Sequence, residues 1–175
     1  MKRPLLGEPL PLDLVDTDWV EHGEPVDWFD DVARVAEWLA AFGLPGDAEA
    51  VREPLRATRA AMRAALAGDQ RELDAVLDRG SVRPRLRDGV PYEEVIVADP
   101  AWHAAWVSAA AFVRLLGERP ERVRKCANPE CVLWFLDVSK NGSRRWCSME
   151  GCGNRAKVGR FNQRSRNLVD RGQTG

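Results

Sequence analysis

Long apolar runs are absent from this chain, histidine is scarce, and the first residues do not resemble a signal sequence. Each of these features disfavours a class of protein. No run of eighteen consecutive apolar residues occurs, so the sequence predicts no membrane-spanning helix. Glu8 and Asp13 interrupt the apolar residues near the start, which argues against a secretory signal peptide and favours the cytoplasm. Only two histidines are present, His22 and His103, and neither is expected to belong to a functional site.

Neither sign of charge dominates the chain as a whole, yet the charges are unevenly distributed. The 175 residues include 26 Lys and Arg and 27 Asp and Glu, and 45% are hydrophobic, which excludes wholesale disorder. Residues 119–175 hold 13 of the basic and 5 of the acidic residues, whereas residues 1–118 hold 13 and 22. We therefore expect an acidic domain over residues 1–118 and a basic one over 119–175, divided near Gly117 and Pro120.

Apolar residues recur at helical spacing through much of the first domain, as in the set Val32, Val35, Leu39 and Phe42. Asp47 is expected to cap a second helix, and Pro54 should break or kink its first turns. Apolar and polar positions nearly alternate over residues 10–15, a pattern that favours extended chain packed against these helices.

A hairpin and a long helix are predicted at the end of the first domain. Asp88 and Gly89 separate two strand-like segments, which is typical of a β-hairpin turn. Asp99 followed by Pro100 opens a helix that should end near Gly117. The predicted fold class is thus α+β and mainly α, with a helical N-terminal domain that carries a small β-hairpin.

All four cysteines lie in the basic domain, as two pairs of identical spacing: Cys126 with Cys131, and Cys147 with Cys152. Each pair can form a tight turn, a knuckle, that offers two sulfur ligands, and Zn2+ prefers four such ligands in a tetrahedron. We predict one structural Zn2+ per chain, because a site closed by four thiolates leaves no open position for catalysis. Four buried or disulfide-bonded cysteines and an iron–sulfur cluster are the alternatives.

The segment between the two cysteine pairs is long enough for a β-hairpin. Residues 132–136 are interpreted as one strand, residues 140–143 as the turn and residues 144–147 as the return strand. Ser148 should then cap a helix that carries the last ligand, Cys152. A knuckle, a hairpin and a ligand-bearing helix together predict a treble-clef zinc finger for the C-terminal domain.

The C-terminal residues resemble the CGNR zinc finger over about residues 122–160, through the motifs Cys126-Ala-Asn-Pro-Glu-Cys131, Trp134-Phe135-Leu136-Asp137, Ser139-Lys140-Asn141, Ser143-Arg144-Arg145-Trp146-Cys147-Ser148-Met149 and Cys152-Gly153-Asn154-Arg155-Ala156-Lys157. The first domain resembles the ABATE domain, which accompanies this finger in bacterial transcription regulators. The residues of that resemblance are LLGEPLPLDLVDT and VAEWLA. Asp16 stands where family members usually have Asn. The resemblance implies a treble-clef zinc finger and a stress-linked role in transcription.

Basic residues after and between the ligands predict a nucleic-acid contact, and the candidates are Arg144, Arg145, Arg155, Lys157, Arg160, Arg164 and Arg166. Those nearest the zinc ligands have an alternative role, because four thiolates and Zn2+ leave a local charge of about −2 that cations can balance. The finger's last helix is also less rich in arginine than is usual in the family. Trp134 and Trp146 are expected to form the finger's small core rather than to stack on bases.

These features favour a zinc-stabilised transcription regulator that binds double-stranded DNA. Its acidic N-terminal domain would sense a small-molecule effector or bind a protein partner. The alternative is a protein-interaction module in which zinc is purely structural and the basic residues balance the thiolate charge. An enzyme is the third hypothesis and is disfavoured, since no nucleophile motif, phosphate-binding loop or HExxH sequence occurs and residues 119–175 contain no histidine.

Overall fold

A computed structural model describes residues 3–157 of the chain. The chain divides into two compact units, and the division falls between Pro120 and Glu121. The predicted fold class, α+β and mainly α, is confirmed. None of the helices over residues 3–157 is long and apolar enough to cross a membrane.

The first unit combines helices with two β-hairpins. The helices are α1 (Leu10–Val15), α2 (Val32–Ala41), α3 (Ala48–Leu66), α4 (Arg71–Leu77) and α5 (His103–Glu118). The strands are β1 (Asp18–Glu21) and β2 (Glu24–Asp27), then β3 (Gly80–Arg87) and β4 (Val90–Val97), and both pairs are antiparallel. Short 3-10 turns at Trp28–Asp30 and Pro100–Trp102 precede α2 and α5.

Helix α1 occupies residues 10–15, where the sequence favoured extended chain, so that prediction is wrong. Pro9 and Pro11 suit the start of a helix, because the first turn needs no backbone N–H from them. Leu12, Leu14 and Val15 are all fully buried. A helix buried on every side shows no single apolar stripe, which explains why its residues lacked helical periodicity.

Helix α3 forms the centre of the first unit and contacts α1, α2, α4 and α5. The Asp47 carboxylate accepts a hydrogen bond from the N–H of Ala50 at 3.0 Å, which confirms the predicted cap. The helix continues through Pro54, so the predicted break does not occur. Pro54 is buried, as are Leu55 and Met62, and this packing offsets the hydrogen bond that proline cannot make.

A buried arginine joins α3 to the first hairpin. Two guanidinium nitrogens of Arg59 donate to the two carboxylate oxygens of Asp27 at 2.8 and 2.6 Å, and Nη1 also donates to the Thr17 hydroxyl at 2.9 Å. Burial alone would raise the pKa of Asp27, but the hydrogen bonds and charge of Arg59 hold it below its usual value. The hairpin itself, which turns at His22 and Gly23, was not predicted.

The second hairpin and the last helix of this unit match their predictions. Asp88 and Gly89 both have positive φ, 52° and 79°, and they form the tight turn between β3 and β4. The Asp99 carboxylate accepts from the N–H of Ala101 at 3.0 Å, and α5 follows. Helix α5 buries Trp106 and Phe112.

In the second unit, two short strands flank the first cysteine pair. Strand β5 (Val123–Lys125) pairs in antiparallel fashion with β6 (Trp134–Leu136), so that Lys125 lies opposite Trp134. The predicted pairing of residues 132–136 with a return strand at 144–147 is wrong, since residues 144–147 form no strand. The backbone N–H of Arg144 instead donates to the Asp137 carboxylate at 3.0 Å.

A small apolar core lies beneath this hairpin. Its buried residues are Val123, Leu133, Phe135 and Leu136, together with three of the four cysteines. Trp134 and Trp146, which were predicted to form the core, are only half-buried. The core is therefore formed by the fully buried Phe135 and by Val123 and Leu136, which lie opposite each other in the hairpin, rather than by the two tryptophans.

Candidate metal centre

The first cysteine pair lies in the turn between β5 and β6. The N–H of Cys126 donates to the carbonyl oxygen of Leu133 at 2.9 Å. The N–H of Cys131 donates to the carbonyl oxygen of Asn128, also at 2.9 Å. The Asn128 side-chain oxygen also accepts from the N–H of Glu130 at 3.2 Å. These local hydrogen bonds close the six-residue turn from Cys126 to Cys131 and bring both sulfur atoms to one side of it.

The second pair spans the start of a helix. The Ser148 hydroxyl accepts from the N–H of Gly151 at 3.1 Å, so Ser148 caps the turn Met149–Gly153, as predicted. Residues 154–157 continue it as α-helix. A Cβ at Gly153 would lie 2.8 Å from the sulfur of Met149, a flexible and exposed side chain that can move aside, and 3.3 Å from the carbonyl oxygen of Ser148.

The four sulfur atoms lie where one Zn2+ needs them. They are all within 4.8 Å of one another, and those of Cys131 and Cys147 are 3.8 Å apart. A tetrahedral site with Zn–S bonds of about 2.3 Å requires sulfur–sulfur distances of about 3.8 Å. No disulfide forms among them, since all four are free. The residues present therefore fit a zinc site closed by four thiolates.

Nitrogen donors surround the sulfur cluster and favour its negative charge. The N–H of Cys147 donates to the Cys126 sulfur at 3.4 Å, the Asn128 amide donates to the Cys152 sulfur at 3.4 Å, and Arg155 donates to the same sulfur at 3.3 Å. The hydrogen bond shared with the Cys147 sulfur is the main reason that the pKa of Cys131 falls to about 5. Burial raises the pKa of Cys126.

Family models match both units of the chain. The CGNR zinc finger matches residues 122–165, which contain all four ligands. The ABATE model, described as "Putative stress-induced transcription regulator", matches residues 8–119, well over half of the chain. The chain belongs to the ABATE family. No curated protein matches it. The matched families are regulator and zinc-finger types rather than enzymes.

Asp137 and Ser139 of the CGNR finger organise the loop before Cys147. Neither residue was proposed from the sequence as part of the site. The buried Asp137 carboxylate accepts hydrogen bonds from the hydroxyl and N–H of Ser139 at 2.6 and 2.9 Å. These bonds, with that from the N–H of Arg144, outweigh burial and hold the pKa of Asp137 below its usual value. An aspartate directly after a strand, with a serine two residues later, is the sequence signal for such a loop anchor.

Of the predicted nucleic-acid contacts, Arg144 and Arg155 are engaged within the finger. The Arg144 guanidinium donates to the carbonyls of Trp146 at 3.1 Å and Cys147 at 2.5 Å, and it stacks over the Phe135 ring at 4.2 Å. Arg144 thus holds the second cysteine pair in place. Arg155 balances thiolate charge through its bond to the Cys152 sulfur.

Arg145 and Lys157 are placed differently. Both are exposed, and neither forms an ion pair with any acid over residues 3–157. The Arg145 guanidinium lies 5.4 Å from the Trp146 ring centre, at a cleft of about 420 Å³ lined by residues 143–149. The remaining predicted contacts, Arg160, Arg164 and Arg166, lie outside the described residues.

Proposed function

We propose that this ABATE-family protein is a transcription regulator that binds double-stranded DNA through its zinc finger. The observation that carries the proposal is the separation of roles among the finger's cations. Arg144 and Arg155 serve the fold and the sulfur cluster, whereas Arg145 and Lys157 remain exposed and without an acidic partner among the described residues. Cations of this kind, in a segment with 13 basic and 5 acidic residues, suit backbone phosphates.

Zinc has a structural role in this proposal. Its four thiolate ligands leave no open coordination position, so it holds the knuckle, the hairpin and the following helix together without activating water. We interpret that arrangement as a treble clef. Arg160, Arg164 and Arg166 extend the basic segment beyond the helix start and belong to the same proposed contact. Four thiolate ligands without a disulfide are typical of a reducing compartment such as the cytoplasm.

The first unit is proposed to receive the signal. Its 22 acidic and 13 basic residues over 1–118 give it a net negative charge, so the finger rather than this unit is expected to supply the main DNA contact. A small-molecule effector or a protein partner of that unit would then change DNA occupancy.

A protein-interaction module is the second candidate. Val138 and Met149 of the finger are 74% and 53% exposed, and such apolar side chains suit a protein partner. The salt dependence of binding distinguishes the two functions. DNA binding through several cations weakens steeply as the salt concentration rises, whereas binding through an apolar interface does not.

The test compares two finger variants of the zinc-loaded, full-length protein. Arg145→Gln with Lys157→Gln should lower the magnitude of the log–log salt slope for a fluorescent duplex by about 1.8, with zinc retained. Arg155→Gln should instead weaken zinc retention in a chelator competition, because it removes a donor to the Cys152 sulfur. A double variant that binds duplex with the wild-type slope would refute the assignment of Arg145 and Lys157.

A further inference from the structure

The hairpin β3–β4 is a two-stranded ribbon of which only the base is packed. Gly80, at its first position, approaches the Trp106 ring so closely that a Cβ there would lie 2.7 Å from the ring nitrogen. From Ser81 to Arg87 every residue of β3 is exposed, and β4 becomes half-buried only from Glu94 onward. The eight-residue strands therefore project from the helices into solvent.

The two faces of the ribbon can be assigned from its register. Residues directly opposite each other share a face, and Gly80 pairs with Val97 while Pro84 pairs with Glu93. Gly80 contacts Trp106, and Glu93 forms an ion pair with Arg114 at 3.4 Å, so this face is directed toward α5. Because side chains alternate, the odd-numbered residues of β3 lie on the opposite, outer face.

The outer face carries arginine at three alternate positions, Arg83, Arg85 and Arg87, opposite Glu94, Tyr92 and Val90. Arg85 forms an ion pair with Glu94 at 2.9 Å, and Arg87 stacks over the Tyr92 ring at 4.8 Å. Neither Arg83 nor Arg87 forms an ion pair within the part of the chain that the structure describes. The outer face is thus a basic strip on a unit that is otherwise acidic.

Proline at both strands makes the ribbon a poor template for another strand. Pro84 in β3 and Pro91 in β4 have no N–H to offer at an edge, and such prolines block the pairing of a further strand. A partner therefore meets the faces of the ribbon rather than its edges. The outer face presents three guanidinium groups, one aromatic ring and the exposed Val90, and its one carboxylate, that of Glu94, is paired with Arg85.

We propose that the outer face of the β3–β4 ribbon is a second DNA contact, in which Arg83, Arg85 and Arg87 bind backbone phosphates of the duplex. The inference rests on the proposed function of the finger and adds a contact from the first unit. Alternate residues recur about every 6.8 Å along a strand, and paired strands lie about 4.8 Å apart. A ribbon of that width fits the major groove, which is about 12 Å wide.

The experiment measures binding of a fluorescent 20-base-pair duplex of mixed sequence by the full-length, zinc-loaded protein at several salt concentrations. Arg83→Gln with Arg87→Gln should lower the magnitude of the log–log slope by about 1.8 and weaken binding about 60-fold at 0.1 M salt. The matched control is Arg71→Gln with Arg114→Gln, which removes the same charge from exposed ion pairs of the same unit. The control pair should bind with the wild-type slope.

The outcomes separate this inference from the proposed function. If the ribbon pair behaves like the control pair while Arg145→Gln with Lys157→Gln flattens the slope, the ribbon contact is refuted and DNA binding by the finger stands. If only the ribbon pair flattens the slope, the ribbon contact is supported and the finger assignment is refuted. Absence of wild-type binding at low salt overturns both.

A spectroscopic signal checks the same contact without substitution of any arginine. Tyr92 is the single tyrosine of the chain, so 3-fluorotyrosine gives one fluorine resonance located on the ribbon. Duplex added at low salt should shift this resonance, and salt should reverse the shift, since Tyr92 lies beside Arg87. A resonance that stays unmoved at saturating duplex would contradict the proposal, even where the arginine variants bind more weakly.

Discussion

Gly80→Ala should destabilise the first unit, because the new methyl group has no room. Its Cβ would lie 2.7 Å from Nε1 and 2.8 Å from Cδ1 and Cε2 of Trp106. The ring is 5% exposed, and its Nε1–H donates to the carbonyl of Leu77 at 2.9 Å, so the ring cannot move without losing that bond. Overpacking and a weakened hydrogen bond together should cost about 2–4 kcal/mol.

Gly117→Ala is the matched control and should have the opposite sign. No atom lies within 4 Å of a Cβ built on Gly117, which belongs to α5. Alanine there should stabilise the helix by up to about 1 kcal/mol. Urea unfolding of the zinc-loaded protein, followed by circular dichroism at a helical wavelength, measures both. A Gly80→Ala protein within about 0.5 kcal/mol of wild type would refute the packing of the ribbon on Trp106.

The other predictions concern metal, domains and pH. Cys131→Ser should abolish the binding of one equivalent of zinc and expose the amides of residues 122–157 to hydrogen exchange, while the first unit stays protected; a metal-free finger that remains protected would contradict this. Limited proteolysis of metal-stripped protein should leave a fragment close to residues 1–118, and cleavage concentrated within its helices would oppose that division. The lowered pKa of Asp27 stabilises the fold above the unfolded value of about 3.9, and this stabilisation is lost as pH falls through the folded value. Asp27→Asn should therefore reduce the acid sensitivity of unfolding measured by urea titration, and an unchanged pH slope would refute the role of the Arg59 pair.

The zinc site could be predicted from the sequence because its signal is local. Two cysteine pairs of equal spacing define two knuckles, and Ser148 is a helix cap whose effect depends on its immediate neighbours. The turn at Asp88 and Gly89 was predictable for the same reason, since positive φ selects these residue types.

Features set by tertiary contacts could not be predicted in this way. Helix α1 lacks an apolar stripe because it is buried all round, so its pattern resembled that of extended chain. Strand β6 pairs with β5 rather than with residues 144–147. The buried Asp137 carboxylate accepts the hydrogen bond of the Arg144 N–H, a group that a strand at residues 144–147 would need for pairing with β6. Nor does the sequence distinguish Arg144, which is engaged by backbone carbonyls, from the exposed Arg145.

The salt dependence of duplex binding by the zinc-loaded protein tests the central claim most directly. Wild type should bind a fluorescent duplex at low salt with a linear log–log slope. Arg160→Ala with Arg164→Ala should flatten that slope by about two units while one equivalent of zinc remains bound, because these arginines lie farther along the chain from Cys152 than Arg155. Undetectable wild-type binding at low salt, or a slope that the double substitution leaves unchanged, would contradict the claim that the finger's basic segment contacts DNA.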